Sequence, residues 1–136
     1  MSTNYIRILA VDDHASDLKD LAVAFPGSVE ACLVDLSLHE VGEAVDQALA
    51  CLRTVRPDII VLDLKWNDQS SYLDGLRFLR CACQGNLLTG ATVVVWSGFL
   101  REAGPALAKL SIPLRLAGVK SFTMFDKPGL PVLEAV

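Results

Sequence analysis

Short apolar runs alternate along the whole chain with segments whose apolar residues recur every three to four positions. Residues 5–11 (YIRILAV) read as a buried strand, and Asp12-Asp13 closes it because carboxylates continue a buried strand only at high cost. Leu18, Leu21, Ala22 and Phe25 then form the stripe of an amphipathic helix, ended by Pro26-Gly27. Residues 29–36 (VEACLVDL) predict a second, weaker strand. Ser37 and Glu40 have capping-box spacing, opening a helix with Val41, Val45, Ala48, Leu49 and Leu52 inward and ending before Pro57. Ile59–Leu62 (IIVL) is apolar on both faces, as a central parallel strand requires, and it too ends in an acid, Asp63. A polar loop over residues 67–71 leads to a third helix with Leu73, Leu76, Leu79 and Cys83 inward, stopped by Gly85-Asn86. Residues 91–96 (ATVVVW) predict a fourth strand ending at Ser97-Gly98, followed by a helix over residues 100–110 that contains Pro105. Residues 112–118 read as irregular, and residues 121–125 (SFTMF) as a fifth strand ending in Asp126-Lys127-Pro128. The residues beyond Pro128 suffice for a helical stub at most.

This rhythm predicts an α/β fold with a doubly wound, five-stranded parallel sheet, its fifth helix truncated or absent. Right-handed crossovers put helices on both faces. In the flavodoxin-like strand order 2-1-3-4-5, the strand order reverses between the first and third strands, and ligands bind beyond the carboxyl ends there.

The chain has 136 residues, which is expected to form one domain over residues 1–136. It carries 12 basic and 16 acidic residues, for a net charge of −4. That balance gives no basic face for direct nucleic-acid or anionic-membrane binding. No apolar run approaches a membrane span, and the first residues lack the pattern of a signal peptide, so a cytoplasmic protein is expected. The four cysteines are expected to be reduced, mostly buried apolar residues. The pair Cys81 and Cys83 lacks the partners of a zinc site.

The candidate chemistry lies in the residues that end the strands: Asp12 and Asp13, Asp63, Ser97 and Lys127. Taken singly, each is an ordinary turn or cap residue. Placed together at one sheet edge, three carboxylates repel one another unless a cation joins them. Their hard oxygen donors favour Mg²⁺ or Mn²⁺. A lysine and a hydroxyl opposite are suited to gripping an anionic oxygen group, and the whole set has the parts needed to move a phosphoryl group.

With these residues in this order, the chain resembles the receiver domain of bacterial two-component response regulators. The match runs through Asp12-Asp13, Asp63 in PDIIVLDLKW, Ser97-Gly98 in VVVWSG and Lys127-Pro128 in FDKP, and covers essentially the whole chain. The resemblance implies that Asp63 accepts a phosphoryl group from a histidine kinase, a phosphotransfer protein or a small phosphodonor. It further implies that Asp13, Asp63 and the backbone carbonyl of Lys65 ligate Mg²⁺ (or Mn²⁺), with Asp12 acting through water. Lys127 would pair with the phosphoryl oxygens, Ser97 would move to hydrogen-bond one of them, and the N–H groups of Lys65 and Gly98 would donate as well. Lys65 and Phe99, two positions past Asp63 and Ser97, would flank the path of the hydrolytic water and slow self-dephosphorylation. Such a domain is no enzyme on external substrates. Its partner downstream would be another protein or a fused output domain.

The sequence departs from the family in its longer stretches from Asp13 to Asp63, Asp63 to Gly75 and Ser97 to Lys127. Met124 also stands where an aromatic switch residue is expected, flanked by Phe122 and Phe125. The altered switch region favours an alternative, a phosphorylation-independent interaction module of the same fold. A haloacid-dehalogenase-like phosphatase would want a second Asp two residues after Asp63, where this chain has Lys65. Of the two tryptophans, Trp96 ends a buried strand, and Trp66 starts a loop and is expected to be the more exposed.

Overall fold

The strands form where the sequence has its continuous apolar runs. A computed structural model describes residues 6–34, 41–66, 74–127, 129–131 and 133. Its elements run β1 (Ile8–Asp12), α1 (Ala15–Ala24), β2 (Val29–Leu33), α2 (Val41–Val55), β3 (Ile59–Leu62), α3 (Asp74–Gln84), β4 (Thr92–Ser97), α4 (Leu100–Leu116) and β5 (Ser121–Asp126). The sheet is parallel throughout, in the order β2-β1-β3-β4-β5. This is the flavodoxin-like order expected from the sequence.

Side-chain alternation sorts the sheet into two faces. Leu9, Val11, Ile60, Leu62, Val93 and Val95 pack with α2, α3 and α4 in the larger core. Ile8, Ala10, Ile59, Val61, Val94 and Trp96 pack with Leu18 and Leu21 of α1 in the smaller one. Among the described residues no helix follows β5. Instead, Gly129 accepts a hydrogen bond from Trp96 Nε1 at 2.6 Å, and Leu133 packs against the smaller core.

Several elements differ from their sequence-based expectation. β1 starts later than expected and takes in Asp12, which pairs in register with Leu33 of β2. On α1, Leu18 and Leu21 are buried as expected, but Ala22 is exposed. In α3 the inward residues are Leu76, Phe78, Leu79 and Ala82, while Cys83 is half-buried. The inward arc widens because α3 contacts both α2 and α4, and because Trp66 packs at a tilt against Phe78 with ring centroids 6.1 Å apart.

The largest difference is α4, which continues to Leu116 through both Pro105 and Pro113. A proline inside a helix costs roughly 3 kcal/mol. Here the helix stripe Ala103, Leu107, Leu110 and Leu114 is buried along its whole length. Each fully buried leucine contributes about 2 kcal/mol, so the apolar face offsets the cost of the prolines. The helix stops at Gly118, whose φ of 83° suits only glycine, and whose carbonyl accepts the N–H of Gly90 at 2.7 Å.

The expected capping box of Ser37 and Glu40, the polar loop over 67–71, Leu73 and Pro128 lie outside the described residues. All four cysteines are free. Cys32 is buried, and burial together with the neighbouring Cys51 pushes its thiol up to about 12, which leaves it unreactive. Among the described residues no helix is long and apolar enough to cross a membrane.

Candidate functional site

Parallel strands bring their carboxyl ends to one edge, and there β1, β3 and β5 deliver Asp12, Asp13, Asp63 and Lys127. Asp12 and Asp63 are each 2 % exposed. Two buried carboxylates side by side need compensation, and Lys127 supplies it. Its Nζ lies 2.8 Å from Asp12 Oδ2, 3.3 Å from Asp63 Oδ2 and 2.7 Å from Asp17 Oδ2, and sits over the Trp96 ring at 4.9 Å. The other oxygens of the pair accept backbone N–H groups. Asp12 Oδ1 takes that of His14 at 2.9 Å, and Asp63 Oδ1 takes that of Leu64 at 2.8 Å.

The backbone at Asp63 is held from several sides. Its N–H donates to the Val11 carbonyl at 3.0 Å, and its carbonyl accepts Trp66 Nε1–H at 2.9 Å. Trp66 is therefore 1 % exposed and belongs to the core, which corrects the expectation of an exposed loop residue. A donor on the indole and an aromatic partner in Phe78 draw it inward. Gly75, at the start of α3, completes the clamp: a Cβ there would lie 2.4 Å from the Asp63 carbonyl oxygen.

The electrostatics follow from this crowding. Burial raises the Asp12 carboxyl, and the charge of Asp63 adds to it, against the pull of Lys127. Burial pushes Asp13 up to about 7, opposed by His14 and reinforced by the charges of Asp63 and Asp12. For Lys127, burial works against the charge, but the charge of Asp63 and the hydrogen bonds to Asp12 and Asp17 outweigh it, and its pKa rises. The ammonium is fixed as a cation.

The acids fit a divalent ion as well. Ligand atoms of Asp12, Asp13, His14 and Asp63 lie within 4.8 Å of one another. The Asp13 side chain is only 10 % exposed, and its buried Oδ1 accepts no hydrogen bond. That oxygen has His14 Nδ1 3.1 Å away and, among other carboxylates, is a donor suited to a hard cation.

The remaining residues stand further off. Ser97 is fully buried at the end of β4, and its Oγ accepts the Phe99 N–H at 3.2 Å. No hydrogen bond joins it to Asp63 among the described residues. The Lys65 side chain turns away from the acids, with Nζ 4.3 Å from the Phe99 ring centroid and 4.0 Å from Glu102 Oε2. The sequence reasoning missed His14 and Asp17. Both follow the acidic pair within the span that starts α1, and the helix start aims them back over the sheet edge.

No protein-family model matches the chain, and no curated protein matches it. Solved structures do. The chemotaxis protein CheY4 of Vibrio cholerae is 19 % identical with a TM-score of 0.61, over 93 % of this chain and 89 % of that one. The N-terminal domain of an uncharacterized protein of Wolinella succinogenes is 22 % identical with a TM-score of 0.59, over 93 % of this chain and 85 % of that one. With its strand order and flanking helices, the chain has the flavodoxin-like fold of receiver domains.

Proposed function

We propose that residues 1–136 form a receiver domain that accepts a phosphoryl group on Asp63 and acts as a cytoplasmic signalling switch, not as an enzyme on external substrates. The observation that carries this reading is Lys127 Nζ bridging Asp12 and Asp63 at the sheet edge, beside the buried oxygen of Asp13. Mg²⁺ or Mn²⁺, held by Asp13, Asp63 and the Lys65 carbonyl with Asp12 through water, would supply positive charge to the transferring group. A carboxylate oxygen of Asp63 attacks phosphorus, and the bond from phosphorus to the donor breaks. The donor, a phosphohistidine imidazole or a small leaving group, keeps that electron pair. Lys127 shifts its contacts toward the new phosphoryl oxygens, and Ser97 gives up the Phe99 N–H to hydrogen-bond one of them. The contact between Lys65 and Phe99 covers the approach of water and favours a long-lived acyl phosphate. A histidine kinase or phosphotransfer protein would supply the phosphoryl group, and a protein partner or fused output domain would read the result.

Met124, which is 48 % exposed where an aromatic switch is expected, favours a second reading: an interaction module that keeps the fold without phosphorylation. Incubation with acetyl phosphate and Mg²⁺, followed by intact-mass measurement, separates the two. A gain of one phosphoryl group that EDTA and Asp63→Asn each abolish supports the acceptor. An unmodified wild-type chain supports the interaction module.

A further inference from the structure

We propose that His14 is an additional inner ligand of the cation at this edge and turns the site's preference from Mg²⁺ toward a first-row transition ion such as Mn²⁺. The proposal rests on the phosphoacceptor reading for the presence of a cation, and goes beyond it in naming a nitrogen donor and a metal class.

His14 sits directly before α1, and its carbonyl accepts the N–H groups of Asp17 and Leu18 at 3.1 and 3.3 Å. Its position is thus set by a helix start. The side chain is 37 % exposed, yet Nδ1 itself is buried. The nitrogen that faces the acids is therefore a covered part of a half-exposed ring. Nδ1 lies 3.1 Å from Asp13 Oδ1, 3.4 Å from Asp12 Oδ1 and 3.8 Å from Asp63 Oδ2. In an octahedral site with bonds of about 2.1 Å, neighbouring ligands are ~3.0 Å apart and opposite ones ~4.2 Å. All three distances fall in that window, so an ion held among the carboxylates is within reach of the imidazole. Independently, the buried Asp13 Oδ1 that faces Nδ1 accepts no hydrogen bond. Lys127 holds Asp12 Oδ2, and it shares Asp63 Oδ2 and Asp17 Oδ2 with the imidazole, whose Nδ1 is 3.8 and 3.7 Å from them.

Chemistry then sets the preference. Mg²⁺ takes oxygen ligands and gives up its waters reluctantly, whereas imidazole suits transition ions. The competing role for His14 is that of a resident imidazolium, a cation in place of the metal. The two roles predict opposite effects of removing the ring: loss of a ligand weakens binding, and loss of a competitor tightens it.

The test uses the full chain loaded with Mn²⁺ and examined by pulsed electron paramagnetic resonance, with Mg²⁺ and Mn²⁺ affinities measured by calorimetry. We expect a ¹⁴N coupling from directly bound imidazole in the wild type and in His39→Asn, and its loss in His14→Asn. The preference for Mn²⁺ over Mg²⁺ should fall about tenfold or more in His14→Asn, the scale on which ligand surroundings act. Bound Mn²⁺ without ¹⁴N coupling in the wild type overturns the proposal and leaves the phosphoacceptor standing, and so does tighter binding of both ions by His14→Asn. The wild-type spectrum decides even if the variant folds poorly. A wild type that binds neither ion overturns this proposal and the metal-dependent reading with it.

Discussion

In β1 and β3 every residue is buried, whereas in β5 four of six residues are exposed and only Phe122 and Phe125 are half-covered. The first pair of strands holds the acids, and the last carries the lysine that answers them. Asp63 is pinned by Val11, Trp66 and the approach of Gly75, all backbone or core contacts. Lys127 is placed by the end of an edge strand, where its own N–H donates to the Ser97 carbonyl at 3.2 Å. Asp12 and Asp63 sit where packing is dense. Lys127 follows a strand whose residues are mostly exposed, where local rearrangement costs less, although its own side chain is only 14 % exposed among the acids. Phe122 packs on the larger core and Phe125 on the smaller, while Met124, on the same face as Phe122, is exposed.

The most damaging way to test this contrast is Gly75→Ala. Helix propensity alone favours alanine by about 1 kcal/mol. Against that, the added methyl meets backbone at 2.4 Å from the Asp63 carbonyl and 2.9 Å from Leu64 Cα. Overpacking against atoms that cannot rotate away costs about 3 kcal/mol. Urea denaturation should show a net loss of roughly 2 kcal/mol. A loss under ~0.5 kcal/mol would mean that α3 slides freely, and the dense half would not be rigid.

Asp13→Asn probes the charge of the same half. The Asp13 carboxyl titrates near 7 in the folded chain against an ordinary value of 3.8. The folded state therefore holds its proton more tightly than the unfolded one. Stability of the metal-free protein should fall as pH rises from about 4 to about 7 and then level off. Asn removes that loss, so in EDTA the variant should match wild type at about pH 4 and exceed it at about pH 8 by on the order of 2 kcal/mol. With a divalent ion the order should reverse, because wild type gains more from the metal. Thermal melts at the two pH values read both effects. Parallel curves would show that Asp13 is already compensated within the chain.

A smaller effect is expected where the two halves meet, at Lys65 and Phe99. Lys65→Asn combined with Phe99→Ala should shorten the acyl-phosphate lifetime about fivefold, equivalent to ~1 kcal/mol of barrier. The remaining phosphoprotein is followed by intact mass after removal of the donor. An unchanged lifetime would assign the pair a packing role alone. The least effect is expected at the exposed edge, where Met124→Ala should change urea stability by less than ~0.5 kcal/mol. A loss above ~1 kcal/mol would show that β5 is covered in solution, and the contrast between the halves would weaken.

The sequence by itself determined the order of elements, the parallel sheet and the end of each strand at which a polar residue stands. These features depend on local alternation and on the handedness of crossovers, which act within a few residues or follow from chirality. The same local pattern places Asp12, Asp13, Asp63, Ser97 and Lys127 at one edge of the sheet. The tertiary structure alone decided the rest. Trp66 reads as a loop residue until the Asp63 carbonyl and Phe78 take it into the core. Residues 112–118 read as irregular until α4 carries through Pro113 and buries Leu114 with Leu107 and Leu110. Asp17 and His14 went unread in the sequence, and only the docking of α1 brings them beside the acids and Lys127. Lys65, long enough to reach the acids, lies instead against Phe99. In each case the deciding partner comes from another element, and a local pattern holds no information about a contact that only folding makes.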